Sequence, residues 1–172
     1  MSKKVQIFNN FLDQEVFLEI KKFIMSPRCQ WRYVNYIAHK DGRDNDNDGY
    51  FVHSFKDCHP QTFEDRYPES PYFPLIVKIL DKIQYQNILR IRSSLYPRRD
   101  VQKPDPFHMD YNFPHRVCIL YVNTNNGYTM LESGEKIPSV ENQLATFDGS
   151  EKHCSVVQTD TSARYIVNIN IL

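Results

Sequence analysis

Apolar residues in the first half of the chain recur at helical spacing in two stretches. The first predicts a helix over about residues 14–25, with Asp13 as its N-cap and an end at Ser26-Pro27. The second predicts a helix over about residues 71–84, which begins where Ser70-Pro71 places a proline at the first helical position. We expect both helices to pack on a sheet through Val16, Phe17, Ile20, Phe23 and Ile24, and through Phe73, Ile76, Val77, Leu80 and Ile83.

The rest of the chain contains β-branched and aromatic runs that predict strands. In the first half these runs cover about residues 5–8, 31–37, 50–55 and 88–96. From Phe107 onward, short strands alternate with turns near residues 124–127, 133–135, 148–151 and 159–162. Many short strands with regular turns are typical of a β-barrel or sandwich. We therefore predict a mainly β fold with two flanking helices, and a single domain over residues 1–172.

A polar loop over residues 40–49 imitates a calcium site. Its Asp44-x-Asp46-x-Asp48-Gly49 pattern matches the start of an EF-hand loop. The twelfth position of such a loop is a bidentate Glu, and here it is Phe55. We therefore predict a solvated hairpin loop instead of a calcium site.

A second polar loop, over residues 97–106, carries Arg98, Arg99 and Lys103. It is either a solvated loop or a clamp on a substrate, and the sequence leaves both interpretations open. Polar loops without apolar anchors are often the mobile segments that gate a site. We predict that this loop and residues 41–48 move when no substrate is bound; whether they form a lid is not decided by the sequence.

Charge and composition exclude several classes of partner. Lys and Arg together number 21, as do Asp and Glu, so the formal net charge is zero and disfavours nucleic acid or an anionic membrane as partner. No apolar run approaches the roughly 20 residues that span a bilayer, and the N-terminus is too polar for a signal peptide. The four cysteines form no C-x-x-C pair, which favours reduced thiols over a disulfide framework. These observations together predict a cytoplasmic protein.

The chemistry centres on Phe107-His108-Met109-Asp110, followed downstream by His153 and Arg164. Residues i and i+2 of a strand point to the same side, so His108 and Asp110 can reach one metal from a short strand. Two imidazoles and one carboxylate form the facial set of non-haem Fe(II) oxygenases, which leaves coordination positions open. His153 and Arg164 each open a predicted strand, and both face the same cavity if those strands pair as neighbours.

The C-terminal half of the chain, from Leu95 onward, resembles the 2-oxoglutarate/Fe(II)-dependent oxygenases, specifically their prolyl-4-hydroxylase-like branch. The resemblance depends on the following motifs, in chain order: Leu95-Tyr96-Pro97, Phe107-His108-Met109-Asp110, Cys118-Ile119-Leu120-Tyr121-Val122-Asn123, Asn126-Gly127-Tyr128-Thr129, Ala145-Thr146-Phe147-Asp148, His153 and Arg164-Tyr165. Asn126 stands where the family motif has a first Gly. The resemblance implies a double-stranded β-helix, which is a distorted jelly roll of the cupin type.

The resemblance also implies a set of roles. His108, Asp110 and His153 would hold Fe(II), which would bind 2-oxoglutarate and O2. Arg164 would bind the far carboxylate of 2-oxoglutarate, with Tyr121 adding a hydrogen bond and Tyr96 lining the pocket. Asn168 lies on the face of Arg164, so it either points into the pocket or lies at the barrel end. The expected reaction hydroxylates a C–H bond of a protein side chain or of an amino-acid-like molecule, with succinate and CO2 as co-products.

Three alternatives are weighed on single residues. Asp110 argues against the halogenases of the superfamily, in which a small residue replaces the carboxylate ligand. The nucleic-acid demethylases of the superfamily carry a second Arg six residues after the first, and position 170 is Asn170. A non-catalytic cupin-like metal-binding protein would not need Arg164 with Tyr121. The primary substrate, the oligomeric state and the source organism do not follow from the sequence.

Overall fold

The structure is a computed structural model, and it describes residues 5–35 and 49–172. The elements are as follows, in chain order: β1 (Gln6–Phe8), α1 (Gln14–Ile24), β2 (Arg32–Val34), β3 (Tyr50–Asp57), α2 (Phe73–Leu80), β4 (Ile88–Pro97), β5 (Arg116–Tyr121), β6 (Tyr128–Leu131), β7 (Lys136–Pro138), β8 (Gln143–Asp148), β9 (His153–Val156) and β10 (Ala163–Ile171).

The strands form two antiparallel sheets of unequal size. The large sheet has seven strands in the order β1-β8-β5-β10-β4-β3-β2, and the small sheet has three in the order β7-β6-β9. Strand β10 is central in the large sheet, where Ile166 pairs with Ser94 of β4 on one side and with Tyr121 of β5 on the other. The two sheets enclose a jelly-roll core, so the predicted double-stranded β-helix with two flanking helices is confirmed.

The two helices cover one face of the large sheet. Phe17, Ile20 and Ile24 of α1 and Ile76 and Ile79 of α2 are fully buried in this layer. They pack against the inward side chains of the central strands, among them Ile91, Cys118, Leu120, Val167 and Ile169. Both predicted helical stripes therefore face the sheet, because their spacing of three and four residues matches the helical period.

The small sheet covers the opposite face, and this second layer contains the site. Successive side chains of a strand point to opposite faces. In β10, Val167 and Ile169 therefore face the helices, whereas Ile166 faces the small sheet. Leu131 of β6 and Ile137 of β7 close the second layer from the small sheet. Burial on both faces explains why β10 is almost continuously buried.

Several predicted boundaries were wrong by a few residues. Helix α2 begins at Phe73 and ends at Leu80, so it lacks a turn at its end and Pro74 occupies its first turn. The N-cap is therefore Tyr72 and not Ser70. The hydroxyl oxygen of Ser70 accepts a hydrogen bond from the Tyr72 backbone N–H, at 3.2 Å, in the turn before the helix. Strand β2 covers Arg32–Val34, and residues 36–37 of the predicted run lie outside the described residues. The calcium-like loop up to residue 48 lies outside the described residues.

Within the described ranges, no helix has both the length and the apolar character needed to cross a bilayer.

Candidate metal centre

His108 and His153 are brought together by main-chain pairing. The N–H of each donates to the carbonyl of the other, at 3.0 and 2.9 Å, so the two residues form an isolated antiparallel bridge. The predicted strand around residues 107–110 is therefore wrong, because only His108 pairs and the neighbouring residues are irregular. The bridge attaches the His-x-Asp segment to the edge of the small sheet, where β9 begins.

The three predicted ligands lie close enough to share one metal ion. One ligand atom from each of His108, Asp110 and His153 lies within 4.8 Å of the others. Nε2 of His153 is 4.0 Å from Oδ2 of Asp110. Nδ1 of His108 faces the Pro106 carbonyl at 3.3 Å, which can only accept a hydrogen bond, so that nitrogen carries the proton and Nε2 keeps its lone pair.

Electrostatics keep these groups in the protonation states that a metal requires. Burial lowers the pKa of His153 to about 4, so its imidazole is neutral at pH 7. Burial alone would raise the pKa of Asp110, but Arg90 and Arg92 outweigh it and hold that pKa well below its usual range. Nη2 of Arg90 is 2.6 Å from Oδ1 of Asp110, while Oδ2 is the oxygen nearer to His153. The neutral imidazole of His153 and the ionised carboxylate of Asp110 are in the states that bind a divalent metal.

Arg164 is fully buried in the same cavity. Arg164 lies on β10 of the large sheet, whereas His153 begins β9 of the small sheet, so the condition that their strands pair as neighbours is not met. The two residues face each other across the core instead. Three hydroxyls from the small-sheet side accept hydrogen bonds from the guanidinium: Ser139 at 2.6 Å, Ser155 at 2.6 Å and Thr129 at 3.1 Å.

Tyr96 and Tyr121 flank this guanidinium. The Cζ atom of Arg164 is 5.6 Å from the centroid of each ring, a distance at which a cation is attracted to an aromatic face. The Tyr121 hydroxyl donates to Oγ1 of Thr129 at 2.9 Å. Burial raises the pKa of Tyr96 to about 12 and also raises that of Tyr121, so both phenols keep their protons.

Asn168 lies in the cavity but near its metal end. Its Nδ2 atom is 3.4 Å from Oδ2 of Asp110, and its Oδ1 accepts a hydrogen bond from Asn170 at 2.7 Å. The residue therefore orients the carboxylate of the triad, and within the described ranges it forms no hydrogen bond with Arg164.

Arg90, Arg92 and the hydroxyl residues Ser139 and Ser155 were missed by the sequence reasoning. The sequence could have identified the two arginines. Arg90, Arg92 and Tyr96 are separated by even numbers of residues along β4, so their side chains point to the same face of the sheet. The hydroxyls carry no such signal, since Ser and Thr are frequent in any β protein. His115, the nearest histidine in sequence, is outside the metal cluster and contacts Tyr111 and Phe113.

The loop over residues 97–106 is tethered at both ends. The backbone N–H groups of Arg98 and Asp105 donate to the carbonyls of Ser162 and Ser155. Arg99 also forms a buried ion pair with Asp105 at 2.7 Å. Motion of the entire loop would break these contacts, and the mobility of its exposed centre stays a prediction.

The sequence matches no family model and no curated protein. Solved structures nevertheless share its fold. An oxidoreductase of the 2OG-Fe(II) oxygenase family from Burkholderia pseudomallei is 11% identical and has a TM-score of 0.69, with 97% of this chain and 85% of that chain covered.

Two prolyl hydroxylases are similar over an equal extent. One, from Trichoplax adhaerens, was solved in complex with a hypoxia inducible factor oxygen degradation domain peptide; it is 12% identical with a TM-score of 0.63, covering 99% of this chain and 84% of that chain. The other is a viral collagen prolyl hydroxylase from Paramecium Bursaria Chlorella virus-1 in its 2OG complex, 10% identical with a TM-score of 0.58, covering 99% of this chain and 96% of that chain. The resemblance drawn from the C-terminal half is thus confirmed for the fold, and it extends over nearly the whole chain.

Proposed function

We propose that this protein is a 2-oxoglutarate- and Fe(II)-dependent dioxygenase that hydroxylates a C–H bond of a protein side chain or an amino-acid-like molecule. One observation carries the proposal. The cavity that contains His108 and His153 also contains Arg164, a fully buried guanidinium that pairs with no carboxylate in the described ranges. A buried charge is normally paired, so this site fits an anionic ligand beside a metal.

His108, Asp110 and His153 are the residues that would hold Fe(II). When bound, the iron and 2-oxoglutarate would supply the O2-dependent oxidation of the substrate, with succinate and CO2 as co-products. The solved viral relative in its 2OG complex has the same fold and supports this co-substrate.

Arg164 has N–H groups that can still donate to a carboxylate. A guanidinium carries five N–H groups, and three of them point to Ser139, Ser155 and Thr129. One N–H on each terminal nitrogen remains for a carboxylate, the group whose geometry a guanidinium matches. Oγ1 of Thr129 already accepts from Tyr121 and Arg164, so its own proton is available as a third donor.

The other residues of the cavity would orient the bound molecules and exclude water. Ile119 and Ile166 present apolar side chains beside Tyr96 on the large sheet. Asn168 and Arg90 would keep Asp110 turned so that one carboxylate oxygen faces His153. We assign this activity to residues 1–172 as one catalytic domain.

The test is a metal and co-substrate titration under anaerobic conditions. Fe(II) followed by 2-oxoglutarate should produce a charge-transfer absorbance in the wild type. His108→Ala and Asp110→Ala should lose most metal occupancy and retain the circular dichroism of the fold. His59→Ala is the matched control, because His59 is exposed and lies outside the cluster.

Two outcomes would contradict the proposal. Full metal stoichiometry in both ligand variants would refute the metal assignment. Metal binding without any 2-oxoglutarate absorbance, and without succinate after exposure to O2, would instead favour a non-catalytic cupin-like metal-binding protein.

A further inference from the structure

Arg92 is a third arginine at this site, and the one role given to it above is the attraction by which it helps Arg90 to lower the pKa of Asp110. It lies on β4 between Arg90 and Tyr96, in the phase that faces the small sheet. Its side chain lines the same cavity as His108, His153 and Arg164. On the neighbouring strands its backbone partners are Asn168 of β10 and Ser54 of β3.

Arg92 differs from the other two arginines because it has no partner. Its Nε is buried without a hydrogen bond, and the side chain makes no hydrogen bond or ion pair with residues 5–35 or 49–172. Its guanidinium lies over the ring of Tyr50, whose centroid is 6.0 Å from Cζ. By contrast, Arg90 is paired with Asp110, and Arg164 is held by three hydroxyls.

The charge at the site calls for one more anion. Among the described residues no carboxylate lines the cavity, and Asp110, which attracts Arg92, is already paired with Arg90. A divalent metal and dianionic 2-oxoglutarate neutralise each other, which leaves Arg92 and Arg164 as a net positive charge in the loaded site. Desolvated charges of this kind are stable only when an opposite charge is supplied.

The position of Arg92 separates it from the co-substrate anchor. Tyr50 stacks on Tyr96 with centroids 5.2 Å apart, and Tyr96 in turn lies against Arg164. The stacked pair of Tyr50 and Tyr96 therefore lies between Arg92 and Arg164. Of the two carboxylates of 2-oxoglutarate, one would pair with Arg164 and the other would bind the metal, so neither requires Arg92.

We propose that Arg92 binds a carboxylate of the primary substrate and restricts the enzyme to carboxylate-bearing substrates, such as free amino acids or acidic peptide groups. The inference rests on the proposed dioxygenase function. It places the oxidised C–H bond close to that carboxylate, because Arg92 and the histidines line one cavity. A guanidinium suits this role because its planar fork matches a carboxylate.

The experiment uses acetate as the minimal carboxylate and acetamide as its neutral match. Protein loaded with Mn(II) and saturating 2-oxoglutarate is titrated with 13C-labelled acetate, and paramagnetic relaxation reports only molecules near the metal. We expect saturable acetate binding in the wild type, at least tenfold weaker binding in Arg92→Met, and no saturable acetamide binding. Arg28→Met, which removes an exposed guanidinium, should match the wild type.

The 2-oxoglutarate affinity is measured on the same samples and should differ less than twofold between Arg92→Met and wild type. A tenfold loss of that affinity would overturn the inference, because Arg92 would then serve the co-substrate. Acetate binding that persists in Arg92→Met, or that is absent from the wild type, would also overturn it while the proposed function stands. A wild type that binds no 2-oxoglutarate would overturn both. If Arg92→Met does not fold, Arg92→Lys carries the test, with weaker acetate binding expected because a lysine cannot pair bidentately.

Discussion

Replacement of Arg164 by Met should change the stability of the ligand-free protein little but should greatly weaken its binding of 2-oxoglutarate. The change removes a buried charge and keeps an unbranched side chain of similar length. In the absence of ligand, Arg164 has three hydroxyl partners and no carboxylate among the described residues. Hydrogen bonds to a charged group contribute about 1.5–3 kcal/mol each. The desolvation of a buried ion costs several kcal/mol, and apolar replacement of buried ions is often neutral or stabilising by about 1–4 kcal/mol.

These opposing contributions are similar in size, so the ligand-free variant should unfold within about 2 kcal/mol of the wild type. The ligand-bound state should differ far more. At a ligand concentration of 100 times Kd, binding stabilises the folded state by about 2.7 kcal/mol. For a protein of this length that corresponds to a rise in Tm of about 5–11 °C in the wild type.

Arg164→Met should show no such rise at the same 2-oxoglutarate concentration, because loss of one partner of a desolvated pair costs about 3–5 kcal/mol, or roughly two to four orders of magnitude in affinity. The assay is thermal unfolding of the Mn(II)-loaded protein with and without 2-oxoglutarate, in wild type, Arg164→Met and Arg164→Lys. The lysine variant should be intermediate, and the shift caused by Mn(II) alone should persist in all three. An undiminished 2-oxoglutarate shift in Arg164→Met would refute the assignment of Arg164 as the carboxylate anchor.

Three further predictions concern neighbouring features. Because Arg90 holds the pKa of Asp110 down, Arg90→Met should lose stability at pH 7, and the difference from wild type should shrink as pH falls below about 4 in urea unfolding; a difference independent of pH would contradict this. Gly127→Ala would place a Cβ 2.8 Å from Oδ1 of Asn125 and 3.0 Å from both Cδ of Arg164 and the carbonyl oxygen of Val156, so urea unfolding should show a stability loss of about 1–3 kcal/mol, and calorimetry should show weaker 2-oxoglutarate binding with metal affinity unchanged. Hydrogen exchange should be fast within residues 100–103 and slow at the tethered ends of that loop; uniform exchange along the loop would argue against the tethers.

Local periodicity made much of the fold predictable. Both helices occur where apolar residues repeat every three or four positions, and β4, β5 and β10 occur where β-branched runs predict strands. The i, i+2 spacing of His108 and Asp110 predicted a shared site for them, although the strand on which that prediction depended is reduced to one bridge at His108. Such features depend on backbone geometry within a few residues, which is why sequence alone predicts them.

Features that depend on distant segments were decided only by tertiary structure. Whether β9 pairs with β10 depends on which sheet each strand joins, and no local pattern specifies it. The hydroxyls that surround Arg164 come from residues 129, 139 and 155, which lie far from each other in sequence. The partners of Arg90 and Arg92 follow from the same long-range pairing: one meets Asp110, and the other has no partner in the described ranges. A charge on a strand has a predictable direction, but its partner is set by the strands and loops that fold against it.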